Sequence, residues 1–298
     1  MADISTRTAG TIYDLGYQHY QGERLGRANA VRTLTGYSFR AAFGRGRGEK
    51  AMIIPLIMIV LAFGPAFIQI VMAAAMKQVT LIRFEQQFQM VGVFLALFAA
   101  AQAPELVSTD RQHRVLPLYL SRAIHATDYA FAKLIAFVGA FMILTAGPEL
   151  AMWAAKILLD PSPKQGFLDN WHSLIPIVGG SVVASLYLAA LGLTLASFAA
   201  RRAFGSAAVI AFFLLMPAAS GITGEILKGD VRRWAILGNP FVLIVGFSDW
   251  LFDIQAKRRT SVGAANLPGQ AYLYVMAGTA IIAMTIFILR YRKAGSDT

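Results

Sequence analysis

The chain has 298 residues, 57% of them hydrophobic and only 14% charged, with a mean hydropathy of +0.57 and a formal net charge of +11. Soluble domains carry about a quarter charged residues, so the composition excludes an ordinary soluble fold and points to an all-α, polytopic membrane protein. The absence of cysteine excludes disulfides, thiolate catalysis and thiolate metal sites. In a soluble protein the basic balance would fit nucleic acid, but no recognition motif accompanies it here. Lys and Arg flanking membrane spans account for it, so the lipid bilayer and not nucleic acid is the expected partner.

Residues 1–50 form a polar, basic leader holding Arg24, Arg27, Arg32, Arg40, Arg45, Arg47 and Lys50. Within it Leu25, Ala28, Val31, Leu34 and Ala41 or Ala42 recur at helical spacing, with Arg27, Arg32 and Arg40 on the other face. That pattern predicts an amphipathic helix lying on the cytoplasmic membrane surface. Gly44, Gly46 and Gly48 then break it. The first apolar run begins near Met52 and is too long for a signal-peptide core, so no cleaved leader is expected.

A six-span membrane domain is predicted over 51–298. About 20 residues at 1.5 Å each cross the hydrocarbon, which places spans near 51–75, 88–107, 128–153, 174–199, 204–222 and 271–289. Pro65 is expected to kink the first span. Lys133 is expected to snorkel from the third span to the inner surface. Residues 156–173 read as an outer loop, and a long polar stretch covers 224–270. Inside it, 236–252 is too apolar for a loop, yet Asn239, Pro240 and Asp249 make it a poor span. It reads as a re-entrant or interfacial segment on the outer side. Six spans put both termini on one side, and 17 of the 27 Lys and Arg residues fall on that face. The positive-inside rule therefore predicts a multi-pass protein of the cell inner (plasma) membrane with both termini cytoplasmic.

Motifs that carry chemistry are mostly missing from the sequence. The segment Gly44-Arg-Gly-Arg-Gly-Glu-Lys50 is glycine-rich, but Lys50 is followed by Ala51, so the Gly-Lys-Ser/Thr end of a phosphate-binding loop is missing. The four histidines form no metal-binding spacing, and no nucleophile elbow occurs. No catalytic, cofactor or metal site is expected, and the chain is not expected to be an enzyme by itself. Glu149, following Pro148 near the outer end of the third span, is the one acid inside a span; it faces either a polar pathway or the outer interface, and intramembrane charge marks function. Gln69, Gln102 and Tyr187 are weaker candidates for a polar pathway. In the fourth span Gly180, Ser181, Ala184, Ser185 and Ala189 form a small-residue stripe suited to close helix packing within the subunit. Met52, Met58, Met72 and Met76 fit lipid-facing or packing positions.

One polar island stands between two apolar runs: 105–122, containing Asp110, Arg111, His113, Arg114 and Arg122. Asp110-Arg-Gln-His-Arg114 is followed by Val-Leu-Pro-Leu-Tyr119-Leu-Ser-Arg122. This resembles the Asp-Arg, small helix, Leu-Tyr, Ser-Arg-Pro pattern of the ABC-2 type transporter permease family, with Ala123 in place of the proline. The leader Tyr13-Asp-Leu-Gly-Tyr-Gln-His-Tyr20 is similar to leaders of actinobacterial members. The resemblance implies a permease subunit, more often an exporter, driven by ATP and Mg bound in a separate ABC ATP-binding subunit. It also implies a second permease, identical or homologous, and a coupling helix in 105–122 that docks on the ATPase. On that reading Asp110, Arg111, His113 and Arg114 pair with the ATPase, and Leu116, Leu118 and Tyr119 anchor the contact. The alternative is an ATP-independent secondary transporter or channel, which would call for more intramembrane ionisable residues or an internal repeat.

Overall fold

The computed structural model describes residues 22, 25–112, 124–254 and 260–296. All regular structure among them is helical: α1 (Arg27–Ala42), α2 (Ile53–Met76), α3 (Gln87–Gln112), α4 (Ala126–Leu158), α5 (Pro163–Asn170), α6 (Leu174–Ser197), α7 (Arg202–Ile226), α8 (Gly229–Ile236), α9 (Pro240–Leu251), α10 (Ser261–Ala265) and α11 (Gly269–Ser296), with short 3₁₀ turns between some of them. Six of these regions are long and apolar enough to cross a membrane, containing α2, α3, α4, α6, α7 and α11. The chain therefore has the make-up of a multi-pass membrane protein. α8 and α9 meet at 93° across a short break. Asn239 sets that corner by accepting the Phe241 and Val242 amides on its side chain, a helix N-cap immediately ahead of Pro240.

α6 is the central helix. It packs on α3, α4, α7, α9 and α11, while α2 and α7 expose most of their apolar surface. The small-residue stripe lies on its buried side: Gly180, Ser181, Ala184, Ser185 and Ala189 are all enclosed. Ser185 and Thr145 of α4 exchange a 3.1 Å hydrogen bond. Inside hydrocarbon the drive to associate is close packing and not the hydrophobic effect. Aromatic contacts supply part of it: Phe98 lies 5.9 Å from Phe137 and 5.2 Å from Phe141, ring centre to ring centre. Each such pair contributes about 0.5–1.5 kcal/mol. The four methionines divide as expected, with Met52, Met72 and Met76 exposed and Met58 packed against the core.

Several predicted boundaries change. α3 does not stop near 107 but continues through Pro104 to Gln112, so Asp110 and Arg111 are helical and not in a loop. α4 extends to Leu158, and the predicted outer loop contains α5. The long polar stretch holds α8, α9 and α10, and α9 is buried along Val242, Leu243, Ile244 and Phe247. Pro65 lies inside α2 without ending it. The leader helix forms as α1 and packs along α4. Arg27 at its start pairs with Asp128 at the start of α4, and Phe39 rests at 3.4 Å from the Cβ position of Gly139. The two helices thus run side by side in the same direction for about three turns, burying Leu34, Ser38, Ala41 and Ala42.

Candidate functional site

Two of the buried charged residues, Glu105 and Lys133, lie with their partners at one end of the bundle, where α3, α6 and α11 finish and α4 and α7 begin. The glycine-broken linker after α1 supplies the first piece. Gly44, Gly46 and Gly48 adopt φ of 78°, 86° and 95°, conformations that L side chains rarely take. At Gly44 a Cβ would stand 2.3 Å from the Ala51 carbonyl oxygen. This tight turn aims Arg47 back at α3. Its guanidinium meets Glu105 at 2.5 Å, donates to Gln102 Oε1 at 2.8 Å and to the Ala41 carbonyl. The same Glu105 also pairs with Arg202 at the start of α7. One buried carboxylate therefore ties the leader, α3 and α7 together.

A turn further along α3, Asp110 receives the Lys133 ammonium at 2.8 Å and the Tyr129 hydroxyl at 2.7 Å. Both donors come from α4. Lys133 keeps only 3% of its side chain exposed, so it does not snorkel to the surface: the carboxylate across the helix interface holds it inside. Tyr129 stacks 5.0 Å from Tyr291, which brings in α11. The last carbonyls of α6, orphaned by the end of the helix, are capped from two sides. Arg111 donates to the Ser197 carbonyl, and Arg290 donates to the same oxygen at 2.9 Å. Positive charge at a helix C-terminus also complements the macrodipole. Ser108 completes the seam by donating to the Ala196 carbonyl at 3.0 Å. Gly205 allows α7 to close on it, since a Cβ there would lie 2.9 Å from Ser108 Oγ.

The sequence-predicted site residues fall into three groups. Asp110 and Arg111 sit at the end of α3 with their side chains engaged inside the chain. His113, Arg114, Leu116, Leu118 and Tyr119 lie outside the described residues. The pathway candidates do not converge. Gln102 holds Arg47. Gln69 accepts the Arg83 amide at 2.9 Å. Tyr187 is buried in α6. Glu149 is fully buried between α4 and α6 beside Ser181, and neither its carboxylate oxygens nor the Ser181 hydroxyl has a hydrogen bond of normal geometry. Sequence reasoning did not single out Arg47, Tyr129, Arg202, Arg290 and Tyr291. One signal was present: Glu105 and Lys133 border apolar runs, and ionisable groups at membrane depth require partners.

No protein-family model matches the chain, and no curated protein matches it in sequence.

Proposed function

We propose that this chain is the membrane-spanning permease subunit of an ATP-driven transporter of the ABC-2 type, more often an exporter, coupled to a separate ATPase through 105–122. One observation carries the reading: the polar island is mechanically fastened to the bundle at both ends. On its N-terminal side α3 runs unbroken to Gln112. On its C-terminal side α4 begins at Ala126 with Asp128 reaching back to cap the His125 amide. The Asp110–Lys133 pair clamps the two helices across the gap. A push on 113–123 is therefore delivered to α3 and α4 together, and through Glu105 to α7 and the leader. Such linkage is what a two-state bundle needs in order to switch access between its faces.

In this proposal the polar belt is cytoplasmic, both termini are on the same side of the plasma membrane, and α8–α9 dips into the outer leaflet as a re-entrant pair. A second permease, identical or homologous, completes the translocation path, which accounts for the failure of the polar pathway candidates to meet within one chain. ATP and Mg are bound by the partner. The buried Glu149 is the one observation favouring a secondary transporter, since an acid at membrane depth is a frequent mark of ion coupling.

Co-expression with whatever ABC ATP-binding subunit its operon encodes tests the reading. The two should co-purify, and Arg114→Glu or Leu116→Asp should dissociate them. Arg111→Glu is a poor probe, because Arg111 caps α6 and its loss disturbs the bundle itself. Failure of any ATPase to co-purify, with both loop variants silent in transport, overturns the proposal.

A further inference from the structure

At the end of the bundle opposite the polar belt, three cavities surround the five-residue helix α10. The largest, about 810 Å³, is a chamber walled by Arg232 of α8, Asp249, Trp250 and Asp253 at the end of α9, and Asn266 and Tyr272. The smallest, about 310 Å³, is an apolar slot between the start of α3 and α9, walled by Phe88, Val93, Phe241, Val242 and Val245. Between them lies a third, about 400 Å³, which shares Arg232 with the chamber and Val242 with the slot. Val262 of α10 lines both chamber and slot. These volumes span the range of small-molecule sites, about 300–1,000 Å³. Val93 is 60% exposed, so the slot opens on the apolar flank of the bundle while the chamber is polar.

We propose that this composite cavity binds a single-chain zwitterionic amphiphile, with a phosphate–ammonium headgroup in the chamber and its alkyl chain in the slot. The chamber presents both charges. A guanidinium suits a phosphate, which it grips by charge-assisted hydrogen bonds. The Asp253 carboxylate, with Trp250 and Tyr272 in the same wall, suits an ammonium, to which aromatic rings can add cation–π attraction. A purely anionic or purely cationic headgroup would meet one wall of like charge. The slot is walled chiefly by Phe88, Val93, Phe241, Val242 and Val245, with Gln89, Thr260 and Ser261 its polar members, so most of its wall favours hydrocarbon. α10 stands where headgroup and chain would join. The inference deepens the transport reading, on which it rests for the claim that the bound molecule is cargo.

Binding is measured on the purified full chain alone, in nanodiscs of phosphatidylglycerol, with radiolabelled lysophosphatidylcholine as probe. Saturable binding is expected. Arg232→Ala and Asp253→Asn should each weaken it about tenfold, the size of one lost charge-assisted contact. Both side chains are exposed, and asparagine tolerates the φ of 53° at position 253, so these variants retain the fold. Val245→Trp should fill the slot and weaken binding similarly. Lysophosphatidylglycerol and tetradecyltrimethylammonium should displace the probe at least about tenfold less well. Non-saturable uptake, indifference to all three variants, or equal displacement by either singly charged competitor overturns the site. Retained binding without ATP-dependent movement in a complex with the ATPase would instead overturn the transport reading and leave the site standing.

Discussion

Replacing Glu105 by Gln tests the ion-pair belt most sharply. Only 5% of the Glu105 side chain is exposed, and Arg47, at 20%, is itself largely enclosed. Removing one partner of a buried pair costs about 3–5 kcal/mol, because the remaining charge stays buried without compensation. Two features lower the figure here. Arg47 keeps its bonds to Gln102 and to the Ala41 carbonyl. Arg202 is 55% exposed, so water takes over its solvation and its pairing contributes at most about 1 kcal/mol. The expected loss is about 2–4 kcal/mol. A double variant, Glu105→Leu with Arg47→Met, removes both buried charges and should recover more than half of it, since apolar replacement of a buried pair is often close to neutral. The assay is unfolding of the purified chain in mixed micelles by SDS titration, with the cycle closed by each single variant. A loss within about 0.5 kcal/mol for Glu105→Gln, together with additive effects in the cycle, would refute the reasoning.

Further outcomes follow from the same geometry. Asp110→Asn should destabilise the chain by about 3–5 kcal/mol, because it leaves Lys133 buried beside a neutral group, and Lys133→Met in the same chain should restore most of that loss. Gly205→Val forces a side chain against Ser108 and Pro104 and should cost about 1–3 kcal/mol by overpacking, read in the same unfolding assay. Arg27→Ala breaks only a surface pair in which Arg27 is 52% exposed, so the unfolding midpoint should not move measurably in the same assay. The proposed topology has its own test in the cysteine-free chain: if it holds, Arg45→Cys is labelled by an impermeant maleimide only after the membrane is opened, and Asp169→Cys from outside intact cells.

The helices were readable because hydropathy alone marks a span: six apolar runs became six long helices. Their ends were not, and α3 shows why. Ser108, Thr109, Asp110 and Arg111 read as the start of a loop, since each is polar. They remain helical because the bundle satisfies them: Ser108 finds the Ala196 carbonyl, Asp110 finds Lys133 and Tyr129, and Arg111 caps α6. Those partners are about 20 to 90 residues away in sequence and invisible to a local pattern. Lys133 read as a snorkelling lysine for the same reason. The three glycines before α2 read correctly as a break, but nothing local revealed that the break aims Arg47 at Glu105. α1 carried a clear apolar stripe. The stripe fixed that a face would be covered, and tertiary packing decided that α4 covers it.

The proposed contact between the segment following α3 and a separate ATPase can be trapped by a photoreactive side chain at position 116. On illumination of cells expressing both proteins, a crosslink to the ATPase is expected, with a yield that changes when ATP is bound or hydrolysed. A crosslink confined to lipid or to the chain itself, in cells where the ATPase is abundant, would contradict it.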